Sequence, residues 1–233
     1  MTKQTKSAQS ISGRHGTTVR VKTAKYRKKS SNQWLARQLN DPYVAESKRL
    51  GYRSRAAFKL IQLDEKYKFL GKGKRIVDLG CAPGGWTQIA VLRNKGLGQV
   101  VGLDILETEP IEGAVTIKQD FTESEAADKL KALLQGDADI VMSDMAANTT
   151  GHQQTDHLRT IHLVELAYEF AKEVLAVGGI FIAKVFQGGA EGELLADAKR
   201  NFSKVSHFKP AASRKESPET YLVAQGFKGL REI

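Results

Sequence analysis

Four charged residues stand in apolar or strand-end positions, where an unpaired charge is costly. Lys184 interrupts the apolar run of residues 180–186, and Lys59 lies on an apolar helical pattern. Asp144 ends one predicted strand and Glu219 opens the last one, so both can reach the same edge of a sheet. Desolvation and neighbouring cations lower the pKa of a lysine, so Lys184 could act as a general base near neutral pH. The plainer alternative is a strand-end lysine that extends to water.

A glycine-rich turn follows the first predicted strand, in residues 77–87 with the sequence VDLGCAPGGWT. Glycines let the backbone approach a ligand, and a helix that begins near Trp86 offers free N–H groups to a polar or anionic group. The turn therefore predicts a nucleotide-type cofactor. It lacks the G-x-G-x-x-G spacing of dinucleotide sites, which argues against NAD. Its D-L-G-x-A-P-G-G-W pattern instead resembles the S-adenosylmethionine loop of class I methyltransferases, particularly those that methylate RNA ribose.

Acidic residues at the ends of the next two predicted strands could complete such a cofactor site. Asp104 can accept hydrogen bonds from the cofactor ribose hydroxyls, and Asp120 can accept from the adenine amino group. Both could equally be ordinary strand-end or turn aspartates. Trp86 and Phe121 could flank the ligand, although we expect Phe121 to be a core residue. Asp78 is expected to organise the loop below the cofactor.

Strands and helices that alternate along the chain must position these residues. Seven short apolar runs predict strands, at residues 75–80, 99–105, 114–121, 139–145, 179–186, 204–208 and 221–227. Helical patterns cover residues 34–70, 124–134, 157–175 and 191–201. The alternation predicts an α/β fold, and the resemblance of the glycine-rich loop implies that it is of the class I S-adenosylmethionine-dependent methyltransferase (Rossmann-like) type. We expect a seven-stranded, mostly parallel sheet flanked by helices, with ligands outside the carboxyl ends of the strands. One of the last two strands can be antiparallel, because their connection is short.

The chain of 233 residues, 41% of them hydrophobic, can bury one good core. We expect a single methyltransferase domain over residues 34–233, and a monomer needs the fewest assumptions. No run of about 18 apolar residues and no signal-peptide core is present, so we expect a soluble, cytoplasmic protein without membrane contact. The lone cysteine, Cys81, excludes an internal disulfide and argues against a cysteine-based zinc site.

Positive charge is concentrated at one end of the chain. Residues 1–40 contain ten lysines or arginines and no acidic residue, which equals the formal net charge of +10. Residues 1–75 contain twenty basic and four acidic residues, a balance of +16, which leaves −6 for the remainder. This asymmetry predicts a polyanionic partner such as RNA. Residues 1–33 predict a disordered basic tail, and residues 34–74 a basic helical part that contributes to RNA binding.

Basic side chains that could contact RNA occur on both sides of the predicted site. The leading candidates are Lys48, Arg49, Arg53 and Arg55 in the first third of the chain and Arg214 on the far side. Their chemistry suits phosphate groups, which provide affinity rather than base choice. The alternative for each is a solvated helix face.

Several sequence landmarks occur in one order from about residue 34 to residue 226. They are GYRSRAAFKL at 51–60, the loop at 78–86, SDMA at 143–146, KVFQG at 184–188, and SR at 213–214 followed by ETY at 219–221. In these landmarks the chain resembles the FtsJ-type ribosomal RNA 2′-O-methyltransferases. The resemblance implies a Lys-Asp-Lys-Glu tetrad on Lys59, Asp144, Lys184 and Glu219, with Lys184 as the proton acceptor. It implies S-adenosylmethionine contacts at Gly84, Trp86, Asp104, Asp120 and Asp144.

The resemblance also implies a substrate. In the bacterial branch of the family this is a uridine of the A-loop of the large-subunit (23S) rRNA, modified late in assembly of the 50S subunit. The chain departs from the family pattern at two places. Ala147 stands where the family usually has proline, which predicts a less rigid loop beyond Asp144. Cys81 replaces a small residue, which should be tolerated. The basic tail is longer than the bacterial pattern requires.

Other activities fit less of the sequence. A base methyltransferase would typically show a cysteine nucleophile or an Asn/Asp-Pro-Pro-aromatic loop after the fourth strand, where this chain reads SDMA. A transfer RNA ribose methyltransferase and an RNA-binding ribosome assembly factor with incidental catalysis both stay open. His152, His157 and His162 invite a metal site, but their five-residue spacing does not place them on one helical face. Ribose methylation needs no metal, so we expect none.

Overall fold

A seven-stranded sheet forms the centre of the protein. The structure is a computed structural model that describes residues 19–20, 23, 28–147, 152–186 and 192–230. The strands are β1 (Arg75–Leu79), β2 (Gln99–Asp104), β3 (Val115–Lys118), β4 (Ala138–Ser143), β5 (Leu175–Phe186), β6 (Phe202–Phe208) and β7 (Glu219–Phe227). Their order in the sheet is β3-β2-β1-β4-β5-β7-β6. Among the described strands, β7 alone runs antiparallel to its neighbours, so it is the antiparallel strand expected near the end of the chain.

Helices cover both faces of this sheet. They are α1 (Lys29–Leu39), α2 (Pro42–Leu50), α3 (Ala56–Tyr67), α4 (Gly85–Asn94), α5 (Ser124–Leu134), α6 (Gln153–Val174) and α7 (Gly192–Asn201). Successive residues of a strand point to opposite faces. On β5, Phe181 and Ala183 therefore pack with residues of α5, α6 and α7, whereas Ile182 packs with residues of α3 and α4. Because both faces of the central strands β1, β2 and β4 are buried, these strands read as nearly continuous apolar runs, whereas the edge strands β3 and β6 are more exposed.

The basic N-terminal region consists of three helices rather than one continuous helical stretch. Asp41 caps α2 by accepting from Tyr43 N at 3.0 Å, and a proline is the first residue of that helix. Gly51 ends α2 with φ +74°, a left-handed conformation that favours glycine. Apolar spacing alone does not register such caps, so the pattern over residues 34–70 appeared continuous. Helix α1 begins at Lys29, before the predicted start.

Other boundaries differ by a few residues from the prediction. Helix α6 begins four residues earlier than residue 157, and β5 begins at Leu175 rather than at residue 179. The early part of β5 is irregular, since its pairing with β4 shifts between Ala138 and Ile140. The predicted tail, residues 1–33, lies outside the described residues except for 19–20, 23 and 28–33. Within the described parts of the chain, no helix is long and apolar enough to cross a membrane.

Candidate active site

The glycine-rich loop joins β1 to α4 at the carboxyl edge of the sheet. Gly80 has φ +79°, and a β-carbon there would lie 2.8 Å from Met145 Cγ. Gly84 has φ +105°, and a β-carbon there would lie 2.7 Å from Ile111 Cδ1. Both positions therefore need glycine. Helix α4 begins at Gly85, so its unpaired N–H groups adjoin the loop, as the sequence predicts.

Asp78 lies behind this loop and connects β1 to α4. Its side chain is fully buried, and its Oδ2 accepts a hydrogen bond from Thr87 Oγ1 at 2.6 Å. Burial raises the pKa of Asp78 to about 7, against the lowering effect of the Thr87 hydrogen bond. Its Oδ1 has no hydrogen-bond partner among the described residues. These contacts fit the loop-organising role expected for Asp78.

A cavity of about 570 Å³ lies beside the loop. Its walls include the carboxylates of Asp104, Asp120 and Asp144 together with apolar side chains such as Leu103 and Phe121. Apolar walls with a few convergent polar groups are typical of small-molecule sites. The structure therefore brings three of the five predicted cofactor residues to one cavity.

The two strand-end aspartates of the cavity are held largely by backbone N–H groups. Asp104 Oδ2 accepts from Ala82 N at 2.9 Å, and its Oδ1 accepts from Leu106 N at 2.8 Å. Asp120 Oδ1 accepts from the backbone N and the hydroxyl of Thr122 at 2.9 and 2.7 Å, and these bonds lower the pKa of Asp120. An ionised carboxylate offers about four acceptor positions. Each aspartate therefore keeps acceptors for the donors of a ligand.

Three other residues predicted near the cofactor are placed differently. Phe121 lines the cavity but packs in the core, 8% exposed, so its expected core position is confirmed. Trp86 is buried, its Nε1 donates to Ala56 O at 2.9 Å, and its ring packs on Tyr221. Neither Trp86 nor Gly84 lines the cavity formed by the described residues. A contact between Trp86 and a ligand there would have to come from its backbone at the start of α4.

The four charged residues meet where α3, β4, β5 and β7 come together, and we call them the tetrad. Lys184 Nζ lies 3.2 Å from Asp144 Oδ1 and also donates to the backbone carbonyl of Asp144. Lys59 Nζ lies 2.8 Å from Glu219 Oε1 and 3.9 Å from Asp144 Oδ2. All four side chains are less than one fifth exposed. Two ammonium groups thus face two carboxylates, and the ionised tetrad has no net charge.

Two further side chains complete the hydrogen bonds of the tetrad. Tyr221 OH donates to Asp144 Oδ1 at 2.7 Å and lies 3.4 Å from Glu219 Oε1. Ser213 Oγ donates to Glu219 Oε1 at 2.8 Å. Sequence reasoning did not assign either residue to the site. The alternation along β7 was an available signal, because Glu219 and Tyr221 share one face and Tyr221 pairs with Lys184 on β5.

The protonation states within the tetrad follow from these contacts. Burial acts to raise the pKa of Asp144, but the charges of Lys184 and Lys59 and the Tyr221 hydrogen bond outweigh it, so that pKa is lowered. Burial, with the neighbouring carboxylates, raises the pKa of Tyr221 well above its usual value. At neutral pH Asp144 is therefore an ionised acceptor and Tyr221 a protonated donor. Asp144 also lines the cavity, so the tetrad adjoins the cavity through this residue, whereas Lys59, Lys184 and Glu219 are not among the lining residues.

The five basic residues predicted to contact RNA are not equivalent. Lys48 and Arg49 are exposed on α2. The guanidinium of Arg53 donates to three backbone carbonyls, those of residues 83, 109 and 110, and its RNA contact stays a prediction. Arg55 and Arg214 both lie beside the Asp41 carboxylate.

The three histidines do not converge. His157 lies against the ring of Phe186 with centroids 6.0 Å apart, His162 lines the cavity, and His152 immediately precedes α6. No group of three or more histidine, cysteine or acidic residues that could hold a metal ion occurs among the residues that the structure describes.

Comparisons with known proteins define the class of this fold. The seven-stranded, mostly parallel sheet with flanking helices has the Rossmann-like fold of S-adenosylmethionine-dependent methyltransferases. The MycE methyltransferase, crystallised with Mg and SAH, is 17% identical with a TM-score of 0.52, over 72% of this chain and 50% of that chain. A structure named as a ribosomal RNA methyltransferase from Plasmodium falciparum is 35% identical with a TM-score of 0.69. It covers 77% of this chain and 100% of that chain.

Sequence relatives define the family. A model of the FtsJ-like methyltransferase family matches residues 52–227. The "Ribosomal RNA large subunit methyltransferase E" of Paramagnetospirillum magneticum is 62% identical over 225 residues, which are 94% of this chain and 92% of that protein. The protein of the same name from Azorhizobium caulinodans is 60% identical over 214 residues, 91% of this chain and 89% of that protein. The chain therefore belongs to the FtsJ-like methyltransferase family, and the resemblance and fold predicted from sequence are confirmed.

The residues of the cavity fit S-adenosylmethionine, the cofactor of this methyltransferase fold. Asp104 and Asp120 offer carboxylate acceptors that suit ribose hydroxyls and an adenine amino group. Leu103 and Phe121 supply apolar surface for a flat ring. Gly80, where a β-carbon would clash, keeps the loop backbone close to the cavity. The cavity therefore has acceptors and apolar walls that suit this cofactor.

Proposed function

We propose that the protein transfers a methyl group from S-adenosylmethionine to the ribose 2′-hydroxyl of a uridine in large-subunit rRNA, in the A-loop of the assembled 50S subunit. The tetrad carries this proposal. Asp144, which lines the cavity, holds Lys184 Nζ 3.2 Å from its Oδ1, and a weakly acidic hydroxyl needs such a base beside the methyl donor. The relatives named Ribosomal RNA large subunit methyltransferase E support the choice of large-subunit rRNA.

The tetrad supplies the groups that the transfer needs from the protein. S-adenosylmethionine supplies a methyl group bound to a sulfonium sulfur, and this sulfur is a good leaving group. The protein must align the hydroxyl oxygen and remove its proton. Lys184 first gives up the proton of its ammonium group to solvent, and its neutral amine then accepts the hydroxyl proton, while the ammonium group of Lys59 stabilises negative charge on the oxygen. Tyr221 and Ser213 fix the carboxylates that orient the two lysines.

The protonation state of the lone cysteine argues against base methylation through a cysteine nucleophile. It thereby favours ribose methylation. Such a nucleophile must be a thiolate. Cys81 is buried, with its Sγ 3.4 Å from Thr108 Oγ1, and burial raises the pKa of its thiol to about 12. The thiol therefore stays protonated at neutral pH and does not supply a nucleophile.

Basic side chains of the N-terminal helices are assigned to the RNA backbone. Lys48 and Arg49 are exposed in the last turn of α2, and we assign them to phosphate groups, for which Arg49 would exchange its bonds to the Glu46 carboxylate. To bind a phosphate, Arg53 would have to give up its bonds to the carbonyls of Glu109 and Pro110. Phosphate contacts of this kind provide affinity and do not distinguish bases. The shape of the substrate therefore determines which nucleotide is modified.

Methyl transfer from labelled S-adenosylmethionine to purified large ribosomal subunits, free rRNA and bulk tRNA, assayed in parallel, tests the proposal. We expect label on the 2′-hydroxyl of an A-loop uridine in the large subunit. Label confined to tRNA would transfer the activity to the tRNA ribose alternative. No label on any RNA, with cofactor binding intact, would favour the assembly-factor alternative. Rescue of subunit assembly in cells by a folded Lys184→Ala protein would point to that same alternative.

A further inference from the structure

A second group of charged side chains lies beside the tetrad. Asp41 Oδ2 is 2.9 Å from Arg55 Nη1 and 3.8 Å from Arg214 Nε. Its other oxygen accepts from Tyr43 N and caps α2. The three residues come from distant parts of the chain: the start of α2, the start of α3 and the connection between β6 and β7. One carboxylate therefore holds two guanidinium groups together.

This group of two arginines and one aspartate carries one net positive charge beside the tetrad. The ionised tetrad is neutral, whereas two arginines face one carboxylate at Asp41. Burial lowers the pKa of Arg55, Asp41 opposes that effect and Arg214 adds to it. Arg55 Nε is also a buried donor without a hydrogen-bond partner among the described residues. A second anion would relieve the repulsion between the two arginines.

The position of the group connects it to the reacting end of the cavity. Arg55 and Lys59 are four residues apart at the start of α3 and so lie on one face, about one helical turn of 5.4 Å apart. Arg55 donates to Ala212 O, and the next residue, Ser213, donates to Glu219. The side chains of Arg55 and Arg214 are 18% and 28% exposed, so solvent reaches both.

We propose that Arg55 and Arg214 form a subsite for an RNA phosphate next to the target ribose, and that Asp41 is a built-in anion that occupies these arginines until the phosphate displaces it. The inference rests on the proposed action on RNA. Guanidinium groups bind phosphate and carboxylate with the same paired geometry, so the two anions compete. Asp41 thereby lowers the affinity for any RNA strand that does not fill the subsite, and it keeps the arginines ordered in the free protein.

Asp41→Asn separates this competition from a purely structural role. Asparagine is as good a helix cap as aspartate, so the bond to Tyr43 N is retained while the negative charge is lost. Glu173→Gln is the matched control, because it makes the same charge change in an exposed pair with Lys131 on α5 and α6. Unfolding temperature and S-adenosylmethionine affinity, measured for each variant, show that the fold and the cavity are intact.

The measurement is the affinity of each protein for a short single-stranded oligoribonucleotide between about 50 and 200 mM salt. We expect Asp41→Asn to bind about three- to tenfold more tightly at the lower salt, with a salt slope steeper by about 0.7. Glu173→Gln should change affinity by less than about twofold. In an Arg214→Gln background the gain from Asp41→Asn should shrink, because the second guanidinium is gone. Unchanged or weaker binding by a folded Asp41→Asn would overturn the inference.

Failure of the inference and failure of the proposed function can be told apart. Methyl transfer by the wild-type protein to large ribosomal subunits is assayed on the same preparations. If the wild type methylates the subunit and Asp41→Asn does not bind RNA more tightly, only the subsite is wrong. If the wild type methylates no RNA, the proposed function is wrong, and the inference that rests on it falls as well.

Discussion

The tetrad and the cofactor side of the cavity use the same chemical group, an aspartate carboxylate, in opposite ways. Asp144 takes its partners from the side chains of Lys184, Lys59 and Tyr221, which lie on three other elements. Asp104 and Asp120 are held by backbone N–H groups and a threonine hydroxyl in the adjoining loops. Groups proposed to react are thus fixed by tertiary ion pairs, and groups proposed to hold a ligand are fixed by loop geometry.

Asp144→Asn should give the largest effect, because it removes the charge that both lysines share. We expect methyl transfer to fall about 10²- to 10⁴-fold, the range for loss of acid–base function. Removing one partner of a buried ion pair also costs about 3–5 kcal/mol, so the free energy of unfolding should drop. Single-turnover transfer and urea unfolding of the same preparations measure both quantities. Transfer within about threefold of wild type would show that the ion pairs do not set the rate.

Asp104→Asn should affect cofactor binding and leave the chemical step in place. The amide group can replace only one of the two oxygens that accept from Ala82 N and Leu106 N. Loss of charge-assisted hydrogen bonds of about 1.5–3 kcal/mol should weaken S-adenosylmethionine binding about 10- to 100-fold. Calorimetric titration gives the affinity, and turnover at saturating cofactor should stay near that of the wild type. Unchanged affinity with lost turnover would remove the distinction between the two regions.

Asp78→Asn should produce the smallest change, visible in the pH dependence of stability. The folded-state pKa of Asp78, about 7, lies above the unfolded value of about 4. Between these values the folded state holds a proton that the unfolded state has lost. Stability from this group is therefore present at low pH and is lost as the pH rises toward 7.

Urea unfolding at about pH 5 and pH 8 tests this sign. Between these two pH values the free energy of unfolding of the wild type should fall by at least about 1 kcal/mol more than that of Asp78→Asn. Asparagine keeps an oxygen for the Thr87 hydroxyl, so the fold should be retained. An equal fall in the free energy of unfolding of both proteins would mean that Asp78 is ionised throughout this pH range.

Much of the fold could be predicted from the sequence because its signals are local. Apolar runs separated by helical patterns predict all seven strands, and each run has a strand in the structure. The glycine-rich turn also predicts the entry into α4. The single helical pattern of residues 34–70 conceals two breaks, since they depend on the capping of α2 at Asp41 and Gly51 rather than on apolar spacing.

The site was less accessible to sequence reasoning where its contacts are long-range. Residue type and strand position are enough to nominate the tetrad, but its pairing depends on which strands are neighbours. Tyr221 was missed because its hydrogen bond to Asp144 requires β7 to lie beside β5. Charge alone also does not reveal that the guanidinium of Arg53, predicted to contact RNA, donates to backbone carbonyls.

The central claim is that Lys184 accepts the proton, and Lys184→Arg tests it most directly. Arginine keeps the positive charge beside Asp144 but does not deprotonate in proteins. Lys172→Arg, in a partly buried pair with Asp197, is the matched control. We expect Lys184→Arg to lower single-turnover methyl transfer at least about 100-fold with the cofactor affinity unchanged, while the control stays active. Transfer by Lys184→Arg at the wild-type rate would contradict the account and make Lys184 a fixed cation.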